Sequence, residues 1–165
     1  MEHIDSFRNI AELAITIIGF SALISIFQKR GEEWKYQDKT NLLRFYVMLE
    51  QAAFILVLCY LPIILINYFD NPDTFVICSV FAAIVTILFV VLAQTRNKRV
   101  CGEYIISSFN YIVLVWAFFY VLIAFGNAFK LLGSGLEANY LTLIYYQIIM
   151  CILQFMRLIY SSLKR

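Results

Sequence analysis

Residues 45–67 read FYVMLEQAAFILVLCYLPIILIN, and this stretch decides the fold class. At about 1.5 Å per residue, a helix of this length crosses the hydrocarbon core of a bilayer, which is about 30 Å thick. The run is apolar apart from Glu50, Gln51 and the closing Asn67, and it is interrupted at Pro62. It therefore predicts a membrane-spanning helix with a kink at Pro62, because proline frees the carbonyl of Leu58 from its helical hydrogen bond.

The composition of the whole chain agrees with this segment. Of its 165 residues, 62% are hydrophobic and 15% are charged, whereas soluble domains are about 45–50% apolar and about 25% charged. Spans of roughly 20 residues leave almost no length for a soluble domain. The sequence thus predicts one integral membrane domain over residues 1–165, all-α and multi-pass, in a plasma or inner membrane. The net charge of +2 gives no reason to expect a nucleic-acid partner.

Hydropathy divides the chain into five apolar segments separated by short polar ones. We therefore predict a transmembrane bundle with spans at approximately 10–27, 45–67, 74–93, 104–127 and 140–160. The alternative is four spans, with residues 140–160 forming an interfacial or re-entrant helix.

The distribution of basic residues predicts the orientation of the bundle. Eleven of the 13 basic residues lie in 28–44, in 94–103 and at the C-terminal end, which five spans place on one side. Only Arg8 and Lys130 lie on the other side. The positive-inside rule then puts the N-terminus outside and the C-terminus in the cytoplasm.

Polar side chains inside the predicted spans are the candidates for function. They form two stripes at helical spacing, one on the fifth span and one on the first, and we take them as candidates for a pore or polar path: Gln147, Gln154, Ser161, Glu12 and Thr16. Amides that face lipid are costly, so the fifth-span stripe either lines a wet path or hydrogen-bonds across a helix interface. For Glu12, the alternatives are a cation or proton site near the outer mouth and a carboxylate that simply reaches water at the interface.

Two further charges lie at a similar predicted depth in the inner leaflet. Glu50 is near the cytoplasmic start of the second span, and Arg157 is near the cytoplasmic end of the fifth. A buried pair would cancel both charges, which the membrane favours. The alternative is that Arg157 extends to the headgroups and Glu50 reaches water.

The sequence gives no pattern typical of catalysis. His3 is the one histidine, and the four cysteines form no CxxC pair, so no metal site is expected. Nucleophile–base pairs, paired carboxylates and glycine-rich phosphate loops are missing as well. We predict neither a cofactor nor an enzymatic activity.

Two classes of function remain. The first is a homo-oligomeric channel or small transporter, because five short spans alone scarcely surround a pore; Glu12 near its mouth would favour cations. The second is a non-catalytic membrane subunit or effector that binds a partner protein through the cytoplasmic loop 28–44. The charged and aromatic content of this loop suits either a protein partner or lipid headgroups.

Overall fold

The computed structural model describes the backbone of residues 4–28, 36–69, 73–101, 108–133 and 135–163. Side chains are described for these residues except 21, 24–28, 36–42, 69, 97, 100–101, 108–110, 158 and 161–163. The described chain forms five helices and no strand. They are α1 (Ile4–Gln28), α2 (Tyr36–Phe69), α3 (Thr74–Cys101), α4 (Ser108–Ala128) and α5 (Leu136–Leu163).

Four helices are long and apolar enough to cross a membrane. Within the described residues, these candidate spans are Leu43–Tyr68, Thr74–Arg96, Tyr111–Ala128 and Leu136–Arg157. They contain the predicted second and third spans and overlap most of the predicted fourth and fifth, and the predicted first span, 10–27, lies inside α1. The predicted all-helical fold is confirmed for the described residues, and four of the helices have the length and apolarity of membrane spans. The count of five spans, the choice between five and four, and the sides of the termini stay predictions.

The exposed surfaces of these helices carry many large apolar side chains. Large hydrophobic side chains such as Leu92, Phe118 and Ile149 are exposed on the candidate spans. Lipid, unlike water, does not penalise such exposure, so the pattern suits a bundle whose solvent is hydrocarbon.

The chain divides into two compact units. Unit 1 comprises Met1–Cys59 and Gln147–Arg165, and unit 2 comprises Tyr60–Tyr146. In unit 1, α1 buries one side between Phe7 and Ile17. The buried residues recur every three or four positions, as one helix face requires: Phe7, Ile10, Ala11, Ala14 and Ile17.

In unit 2, α3 and α4 pack against each other. The buried side of α3 consists of small residues, which let helix backbones approach closely in a membrane. They are Cys78, Ser79, Ala82, Ala83 and Thr86.

The link from α4 to α5 ends one helix sharply before the next begins. Leu131 N donates to Gly126 O at 2.8 Å and Lys130 N donates to Asn127 O at 3.0 Å, which is the Schellman pattern. The left-handed position of this cap, usually glycine, is Lys130 with φ 58°. Its ammonium reaches Asp73 Oδ1, 2.9 Å away at the start of α3, so the cap also ties the loop to α3.

Pro62 is buried inside α2, and α2 is helical on both sides of it. The missing backbone hydrogen bond is therefore accommodated within one continuous helix. A kink of α2 at Pro62 remains a prediction.

Candidate functional site

The amide stripe of α5 faces the protein interior. Gln147 and Gln154 are both buried. Gln51 of α2, also buried, donates from Nε2 to Gln147 Oε1 at 3.1 Å. One turn further along α5, Cys151 Sγ lies 3.9 Å from the carbonyl oxygen of Met48. These contacts join α2 to α5 inside unit 1, and for Gln147 they match the interface alternative of the sequence analysis.

The polar stripe of α1, in contrast, is exposed. Glu12 and Thr16 are exposed, on the side of α1 that faces away from its buried residues. Thr16 Oγ1 donates to the carbonyl oxygen of Glu12 at 2.8 Å, so the hydroxyl is satisfied within the helix. Gly19, one heptad after Glu12, is exposed too, and a Cβ built on it would meet nothing within 4 Å. The Glu12 carboxylate is thus placed on an outer, open helix face.

Both members of the predicted charge pair, Glu50 and Arg157, lie in unit 1. Glu50 is exposed and Arg157 is half-buried. Arg157 also experiences the like charge of Arg44, which precedes Glu50 on α2. Two guanidinium groups in electrostatic range of each other favour a carboxylate nearby. The Glu50–Arg157 pair remains a prediction.

Sequence reasoning missed a polar cluster that lies in unit 2 around Asn127. Asn127 is fully buried near the end of α4. Its Nδ2 donates to Ser79 Oγ at 2.9 Å and to Leu136 O at 3.1 Å. Its Oδ1 accepts from Asn139 Nδ2 at 3.1 Å. One side chain therefore connects α3, α4 and α5. The small-residue stripe of α3 was the available signal, because it marks a close helix contact near Ser79.

A second feature of unit 2 is aromatic. The rings of Trp116 and Tyr146 lie 4.1 Å apart between centroids, and the ring of Tyr120 lies 5.8 Å from that of Tyr146, tilted by 38°. Tyr146 OH donates to the carbonyl oxygen of Trp116 at 3.0 Å. The indole Nε1 of Trp116 is buried and has no hydrogen-bond partner among the described residues.

Several predicted positions lie outside the described residues. The side chain of Ser161 is one, although its backbone belongs to α5. Most side chains of the loop 28–44 are others. Within the described part of the chain, no group of three or more His, Cys, Asp or Glu side chains is placed to hold a metal ion.

Comparison with known proteins adds no family assignment. No protein family model, curated protein or solved structure matches this chain.

Proposed function

We propose that this protein is a homo-oligomeric channel or small transporter of a plasma or inner membrane, with its N-terminus outside and its C-terminus in the cytoplasm. The observation that supports this most is the exposed Glu12 on α1. Large apolar side chains surround it on the same exposed surface, namely Leu13, Ile15 and Phe20. A carboxylate is costly in hydrocarbon, so a face of this composition favours contact with another protein surface or with water.

A second copy of the chain would provide both the protein surface and the enclosed water that this face of α1 favours. Gly19 allows another helix to approach closely, since no atom occupies the space above it. Copies arranged about an axis would bring several Glu12 carboxylates together near one end of a path, and Thr16 would lie one turn deeper. A ring of carboxylates attracts cations, so the proposed path favours cations over anions.

In this arrangement the amides of α5 hold the chain together and do not line the path. Gln147 is buried and bonded to Gln51, so it is already satisfied within one chain. The activity proposed here needs no catalytic step.

The test compares two charge-neutralising variants. Wild-type protein, Glu12→Gln and Glu137→Gln are reconstituted in liposomes, and cation and anion fluxes are measured under voltage and pH gradients. Glu137, half-buried in the first turn of α5, is the matched control because its neutralisation removes the same charge on the same predicted side. We expect cation selectivity to fall in Glu12→Gln and to persist in Glu137→Gln. Absence of flux from the wild type under every condition would refute the channel.

The buried amides provide a second comparison. Replacing Gln147 and Gln154 by Leu should weaken the fold by about 0.6 kcal/mol per lost hydrogen bond and leave residual flux through folded protein unchanged. Loss of flux with stability unchanged would instead place these amides on the path.

A partner-binding subunit is the second candidate, and the length of α2 favours it. This helix begins at Tyr36, whereas the second span predicted from hydropathy begins at residue 45. The last nine residues of the loop 28–44, about 13 Å of helix, are therefore helical on the predicted cytoplasmic side. A helical segment of this kind offers a docking surface. Co-purification that depends on residues 28–44, together with absence of flux, would favour this function.

A further inference from the structure

Unit 2 contains an apolar groove between α4 and α5. Its volume is about 300 Å³, and it is lined by Tyr111, Ile112, Val115, Trp116, Phe119 and Tyr146. The five residues from α4 share one face of that helix, because they are spaced at i, i+1, i+4, i+5 and i+8. The volume is at the lower end of the range for small-ligand sites.

The base of the groove is held in place. The rings of Trp116 and Tyr146 are 4.1 Å apart, and the Tyr146 hydroxyl is fixed to the Trp116 carbonyl oxygen at 3.0 Å. Neither ring can swing into the groove without breaking these contacts. The Trp116–Tyr146 wall of the groove is therefore fixed.

The position of the groove along the candidate spans indicates that hydrocarbon surrounds it. All six lining residues belong to the candidate spans Tyr111–Ala128 and Leu136–Arg157. Trp116 is at least five residues, about 7.5 Å, from either end of the first span, and Tyr146 is near the middle of the second. At this depth the surrounding solvent is hydrocarbon.

Water is a poor occupant of such a space. A buried water needs two to four polar partners, and the lining offers only phenol groups and the Trp116 indole. An empty groove would lose dispersion contacts along its whole wall. A lipid chain supplies those contacts and is present at solvent concentration, whereas a second protein copy would lose translational and rotational freedom on binding.

We propose that this groove binds one acyl chain of a membrane phospholipid against the Trp116–Tyr146 ring pair.

The chain itself provides the probe for a test. It has two tryptophans, so Trp34→Phe leaves Trp116 as the one fluorophore of this kind. The full-length Trp34→Phe protein is reconstituted in phosphatidylcholine vesicles in which a variable fraction of the lipid is brominated near the middle of its acyl chains. Bromine quenches indole fluorescence on contact, so quenching reports a chain beside Trp116. We expect strong quenching whose dependence on the brominated fraction fits a single lipid position.

Two variants separate the groove from general lipid contact. Val115→Phe adds bulk to the groove lining, and Leu114→Phe places the same phenyl ring at an exposed neighbour outside it. We expect Val115→Phe to lose most of the quenching and Leu114→Phe to retain it. Circular dichroism and melting temperature establish that each variant is folded; if Val115→Phe is not, Ile112→Phe replaces it as the groove-filling variant.

The emission wavelength gives an independent readout. A hydrocarbon occupant leaves the Trp116 Nε1–H group unhydrated, so emission should be blue-shifted in the Trp34→Phe protein. Red-shifted emission would mean a water-filled groove and would overturn the proposal. Absence of quenching, as expected if a second copy covers the groove, or full quenching in a folded groove-filling variant would overturn it as well. None of these readouts depends on ion flux.

Discussion

Replacing Asn127 should measurably destabilise the protein, because three hydrogen bonds depend on one buried side chain. Asn127→Leu keeps a similar volume but removes the donations to Ser79 and Leu136 and the acceptance from Asn139. Hydrogen bonds between side chains in membrane proteins average about 0.6 kcal/mol. Three such bonds give an expected loss of about 2 kcal/mol in the free energy of unfolding. For a chain of this length that corresponds to a decrease in melting temperature of about 4–8 °C.

The assay is reversible unfolding in mixed micelles or bicelles, followed by circular dichroism. Asn67→Leu is the matched control, since Asn67 is the same residue type near the end of another helix but is exposed. Asn67→Leu should lower the free energy of unfolding by no more than about 0.5 kcal/mol, as most surface substitutions do. Asn127→Asp is a sharper variant, because it keeps the acceptor for Asn139 but puts a carboxylate oxygen opposite the Leu136 carbonyl oxygen. We expect Asn127→Asp to be less stable than Asn127→Leu.

A double-mutant cycle tests whether the Asn127–Ser79 hydrogen bond accounts for part of the loss in stability. Ser79→Ala combined with Asn127→Leu should destabilise by less than the two single variants together, since both remove the same 2.9 Å bond. Equal losses in the free energy of unfolding for Asn127→Leu and Asn67→Leu would show that the Asn127 hydrogen bonds do not stabilise the fold. An additive cycle would show that the Ser79 bond contributes nothing.

Three further predictions concern unit 1 and the topology. Gln51→Leu and Gln147→Leu should each cost about 0.6 kcal/mol, and the double variant should cost little more than either, as measured by the same unfolding assay; strict additivity would contradict the 3.1 Å bond. If Glu50 and Arg157 form a pair, Glu50→Gln should lower the melting temperature and added Arg157→Gln should restore part of the loss, whereas independent effects would dismiss the pair. Cys101 should react with membrane-impermeant thiol reagents from the cytoplasmic side alone, and labelling from outside sealed cells would refute the five-span topology.

The membrane helices were predictable because their signal is local. Residues 45–67 exceed the length and apolarity that a bilayer crossing requires, and α2 indeed covers them. The heptad spacing of Gln147 and Gln154 was informative for the same reason, since two amides on one helix face avoid lipid. Both are buried. In these cases the chemistry of a single helix is sufficient to predict its environment.

The remaining features depend on contacts between distant residues. Asn127 and Ser79 are 48 positions apart, and no sequence spacing connects them. The side of α1 that is buried was equally hidden, because lipid-exposed and buried faces of a membrane helix are both apolar and hydropathy does not separate them. Leu13 and Ile15 are exposed while Ile10 and Ile17, of the same character, are buried. Only packing distinguishes them.

The amide stripe of α5 is buried and the polar stripe of α1 is exposed, and this difference predicts which helix face takes part in assembly. Helices in lipid gain little from apolar burial, so polar and small residues decide which faces associate. On α5 that capacity is already used within the chain, because Gln147 is bonded to Gln51. On α1 it is not, because Glu12 and Gly19 are both exposed. A second copy or a protein partner would therefore gain more by covering α1 than by covering α5. Cross-linking through cysteines placed at exposed positions of each helix, such as Thr16 and Ile149, should capture dimers through α1 first; capture through α5 alone would contradict this reasoning.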